Sequence, residues 1–153
     1  MASTHTSTQV NGLGPLDLVP GLNVQRVLFT LGTDSTLSLS TDDVIQMVAV
    51  PHGARILDVI VKARVGNTEG AASVGDGSST ARYIAAFSLT ATPAPVARLD
   101  SAGGAGFRYS ISSTVITEPK FDTIDISMAG AWTSTRTAVF EMTVYYLMDR
   151  DPA

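Results

Sequence analysis

The chain has no cysteine among its 153 residues, which excludes disulfides and thiol chemistry and leaves the redox compartment open. Lysine is nearly missing too: of ten basic residues only Lys62 and Lys120 are lysines. Charged residues make up 16% of the chain, where about a quarter is usual for a soluble domain. A lone soluble enzyme keeps more charge than this for solubility, so much of the surface is expected to be covered by other subunits. The net charge is −4, which disfavours nucleic acid as a direct partner because phosphate binding needs a basic patch. No apolar run is long enough to span a bilayer. The opening MASTHTSTQVNG lacks the cationic start and apolar core of a secretory signal. The expectation is a protein with no membrane partner, made in a cytoplasm and kept there or released by lysis.

Catalytic residue types are equally scarce. The only histidines are His5, in a Ser/Thr-rich start, and His52, directly after Pro51. A catalytic triad needs a nucleophile, a base and an orienting acid within hydrogen-bond reach, and no nucleophile-elbow motif accompanies His52. It reads as an exposed turn residue. A zinc site needs three or four clustered ligands, and no His/Cys cluster exists. Gly75-Asp76-Gly77-Ser78-Ser79 lacks the lysine of a phosphate-binding loop, and Gly104-Ala105-Gly106 lacks the third glycine of a dinucleotide fingerprint. Neither leads into a helix, so both read as β-turns. Asp76 with Ser78, or Asp42 with Asp43, could touch calcium, but no loop shows the calcium-binding spacing. No enzyme activity, metal or cofactor is expected.

What the sequence does contain is strand. In Pro51–Phe87, PHGARILDVIVKARVGNTEGAASVGDGSSTARYIAAF, a run from about Arg55 to Val65 carries Leu57, Val59, Val61, Ala63 and Val65 on one side. Successive strand side chains point to opposite faces, so this run predicts one buried and one half-wet face. As a helix the same residues would scatter around the axis. Gly66-Asn67 breaks the strand, Ala71–Gly75 forms a short one, and Tyr83–Leu89 resumes with Tyr83, Ala85, Phe87 and Leu89 on one side. Asn23–Leu31 and Val44–Val50 are strands, and STLSLS at 35–40 alternates as an edge strand does. Ser40-Thr41-Asp42-Asp43 could cap a helical turn, although the β-branched residues that follow favour strand. Further strands are expected at 107–113, 114–117, 121–128 and 137–148, the last lying centrally in a sheet with Phe140 in the core.

Roughly eight to ten short strands with Gly/Pro punctuation and no 3.6-residue periodicity predict one all-β domain, a sandwich or barrel. A jelly roll is the first choice at this strand number, and an immunoglobulin-like sandwich the second. The domain is expected over 23–149, with an extended N-terminal arm at 1–22 and a tail at 150–153. In the arm, PLDLVPGL places Leu16, Leu18, Val19 and Leu22 between and after two prolines, as apolar teeth that pack on the chain's own barrel or on a neighbour. Trp132, in a turn region, covers the barrel's end or anchors an interface, since tryptophan is a favoured hot-spot residue.

The pattern PHGARILDVIVKARV followed by AASVGDGSSTARYI, with Gly53, Ile56, Leu57, Asp58, Val59, Val74, Gly75, Asp76, Gly77, Tyr83 and Ile84 at the matching positions, resembles small virion structural proteins of tailed bacteriophages. The resemblance covers about a quarter of the chain and is a hairpin signature rather than a chemical one. It implies a capsid decoration or cement protein of jelly-roll fold, sitting outside the shell as a dimer or trimer and clamping neighbouring major capsid proteins. It supplies no catalytic residues. The expected partners are then the major capsid protein and further copies of this chain, at contacts drawn from Leu16, Leu18, Val19, Leu22 and Trp132. The protein would be made in the host bacterial cytoplasm and end on the virion surface. The competing expectation is a receptor- or glycan-binding β-sandwich module of a phage tail or fibre.

Overall fold

The computed structural model describes residues 4–6, 21–30, 38–63, 70–89, 96–99, 121–130, 132–133 and 139–148. These form eleven strands and, among the described residues, no helix. In chain order they are β1 (Thr4–Thr6), β2 (Gly21–Thr30), β3 (Ser38–Leu39), β4 (Val44–Pro51), β5 (Ala54–Ala63), β6 (Ala71–Asp76), β7 (Ser79–Ser88), β8 (Val96–Arg98), β9 (Phe121–Met128), β10 (Trp132–Thr133) and β11 (Val139–Met148).

One sheet runs β2-β11-β5-β8, a second β1-β4-β9-β6-β7, and β3 pairs with β10 in a small ribbon. All pairings are antiparallel except that of β1, which lies parallel to β4 on the edge of the second sheet. Set aside β1 and the ribbon, and the remaining eight strands distribute as first-eighth-third-sixth and second-seventh-fourth-fifth. That order is a jelly roll, two four-stranded antiparallel sheets wound together. The strand β11 is central, flanked by β2 and β5.

The core lies between the sheets. Val59, Val61, Phe140, Met142 and Val144 come from one sheet and Ile45, Val48, Val74, Ile124 and Ile126 from the other, all fully buried. The expected phase of β5 holds only from Val59 to Ala63. At its start Ala54 and Ile56 are buried while Leu57 is half-buried. The cause is a β-bulge: Tyr145 pairs with Asp58 and Tyr146 with Ile56, leaving Leu57 as an extra residue. One inserted residue moves every later side chain to the opposite face. A similar irregularity between Gln46 and Val48 lets Met47 and Val48 both be buried.

The expected alternation of β7 also fails, because its register slips twice against β6. Tyr83 and Ile84 are both buried, Ala85 is exposed and Phe87 half-buried. Residues 1–22 are not wholly apart from the sandwich. Thr4–Thr6 extend the second sheet, and Leu22 already belongs to β2, opposite Leu147. The expected strands at 107–113 and 114–117 lie outside the described residues. Ser40–Asp43 is a tight turn rather than a helical one. The Asp43 carboxylate accepts the Ser40 N–H at 2.7 Å, and Asp42 takes a positive φ of 72°.

Candidate functional site

The Val74-Gly75-Asp76-Gly77 stretch closes the β6–β7 hairpin. Asp76 Oδ1 accepts the Ser78 and Ser79 N–H groups at 3.0 and 2.9 Å and the Ser78 hydroxyl at 2.7 Å. Its Oδ2 accepts from Arg82 Nε, and Arg82 Nη2 reaches Ser78 Oγ at 2.8 Å. Burial pushes the Asp76 carboxyl up, but the hydrogen bonds from Ser78, Arg82 and Ser79 outweigh it and hold the group below its usual range. Every oxygen is engaged within the turn. These contacts make the loop a structural clasp between the turn and Arg82 of β7.

A second polar group is less satisfied. On β9, Thr123, Asp125 and Ser127 face away from the core yet are buried, as is Ser73 on β6 opposite Ser127. Asp125 sits between Gln46 of β4 and Gly75 of β6, and its Oδ1 has no hydrogen-bond partner among the described residues. Burial pushes this carboxyl up to about 7, with Asp122 and Asp76 adding to the rise and a hydrogen bond from Thr123 opposing it. No group of three or more His, Cys, Asp or Glu side chains able to hold a metal ion occurs among the described residues.

Among the described residues, the exposed large apolar side chains fall on the outer face of the β2-β11-β5-β8 sheet. Register fixes which residues share it. Successive rows across the strands are Leu22–Leu147–Arg55, Val24–Tyr145–Asp58, Arg26–Thr143–Ile60–Arg98 and Leu28–Glu141–Lys62–Val96. Leu22, Val24, Leu28 and Val96 are 64%, 53%, 48% and 60% exposed, and they are the large apolar residues most open to solvent among those described. Two ion pairs stitch the face. Arg26 grips Glu141 through two contacts of 2.9 Å, and Arg98 Nε meets Asp58 Oδ2 at 2.7 Å. The carboxylates, by hydrogen bond first and charge second, raise both guanidinium groups further above their ordinary range.

The sequence-predicted contact residues separate. Leu22 is on this face. Leu16, Leu18 and Val19 lie outside the described residues. Trp132 pairs through its backbone with Leu39 in the β3–β10 ribbon, which is a separate sheet from the one that carries Leu22. His52 occupies the β4–β5 turn and is half-buried, and His5 Nε2 lies 3.8 Å from Asp43 Oδ2. Val24, Leu28 and Val96 were not singled out by sequence. In NVQRVLFTL both alternating sets contain apolar residues, so period-2 patterning marks a strand there without saying which side is outside.

No protein-family model matches the sequence, and no curated protein does. Solved structures do match in fold. A chain of the cyanophage Pam1 capsid asymmetric unit superposes with a TM-score of 0.64 at 19% identity, over 89% of this chain and 92% of that one. A chain of the capsid of Ralstonia phage GP4 gives 0.65 at 16% identity, over 97% and 99%. The whole jelly roll, end to end, is thus shared with chains found in phage capsids.

Proposed function

We propose that the chain is a non-enzymatic virion structural protein that binds the outside of a bacteriophage capsid and stabilises it by tying neighbouring major capsid proteins together. The observation that carries this reading is the near-complete mutual coverage with chains of two phage capsids. Low charge and an exposed apolar sheet face agree with a surface meant to be covered. The mechanism is binding energy alone. A protein that binds the assembled shell but not the separated subunits stabilises the assembled state by mass action. A dimer or trimer of the chain gains avidity from simultaneous attachment. The arm residues Leu16, Leu18, Val19 and Leu22, with Trp132, are the proposed contacts to shell and neighbouring copies.

Co-sedimentation with virion shells lacking this chain tests the proposal. Saturation at a fixed number of copies per shell is expected. Failure to bind at any concentration, with the protein folded, would reject it.

A further inference from the structure

We draw no further inference here: the strongest candidate, the buried side-chain cluster of Thr123, Asp125 and Ser127 on β9 beside Ser73 of β6, carries nothing, because no group of metal-ligating side chains accompanies Asp125 among the described residues and nothing in the structure shows what covers that face of the β1-β4-β9-β6-β7 sheet.

Discussion

A Cβ atom on Gly75 would lie 1.8 Å from the carbonyl oxygen of Ser79 and 2.5 Å from the carbonyl carbon of Thr80. Both obstacles are backbone, so neither can swing aside. The start of β7 crosses directly over β6 at this point, and Ser73 Oγ secures the crossing by donating to the Thr80 carbonyl at 2.8 Å. The glycine is required by close approach of two strands rather than by a left-handed φ.

Gly75→Ala therefore forces the β6–β7 crossing apart and strains the Asp76 clasp beside it. A loss of roughly 2–4 kcal/mol is expected, in the range of strained or overpacked sites. Equilibrium denaturant unfolding measures it. Gly77, around which an added Cβ meets nothing within 4 Å, is the matched control and should lose much less.

Asp125 gives the fold a pH dependence of definite sign. Its folded pKa of about 7 lies above the ordinary carboxylate value. Its contribution is thus fully present below the unfolded value, near about 4, and is lost as pH rises through about 7. Between these limits stability should fall by roughly 2–4 kcal/mol. Asp125→Asn, which cannot ionise, should flatten the profile and be more stable than wild type at pH 8. A wild-type profile unchanged by the substitution would show that Asp125 is not the titrating group. Asp76 acts in the opposite window: its carboxyl is held low, so its support is lost only on acidification below the ordinary range.

Phe140 is fully buried at the centre of the core, on the strand between β2 and β5. Phe140→Ala should cost about 3–5 kcal/mol, or roughly 10 °C in a domain of this size. A shift of a degree or two would contradict its placement.

Among the described residues, removing residues 1–20 leaves β2 intact and deletes the three paired residues of β1 from the second sheet. The sandwich should stay folded, with a modest fall in Tm, while shell binding is abolished. Circular dichroism and co-sedimentation on one preparation separate the two effects, and undiminished binding would exclude Leu16, Leu18 and Val19 as contacts.

The strand positions were largely legible from period-2 patterning and Gly/Pro punctuation, and strand number pointed to the jelly roll. What alternation could not reveal were the points where a residue is inserted. Leu57 breaks the phase of β5 because a bulge is decided by pairing with Tyr145 and Tyr146, which lie far away in sequence. On β9 the alternating set Thr123, Asp125 and Ser127 is polar yet buried, which alternation alone does not reveal. Of the exposed apolar residues on the outer face of the β2-β11-β5-β8 sheet, only Leu22 was legible in the sequence. The exposure of Val24, Leu28 and Val96 follows from sheet order, which assigns β2 and β8 to one surface.

The most direct measurement is the temperature at which purified virion shells release their contents, with and without this chain restored. Shells carrying saturating copies should hold to a higher temperature than bare shells, and the gain should vanish with the chain lacking residues 1–20. Identical release temperatures at full occupancy would contradict a stabilising role in the virion.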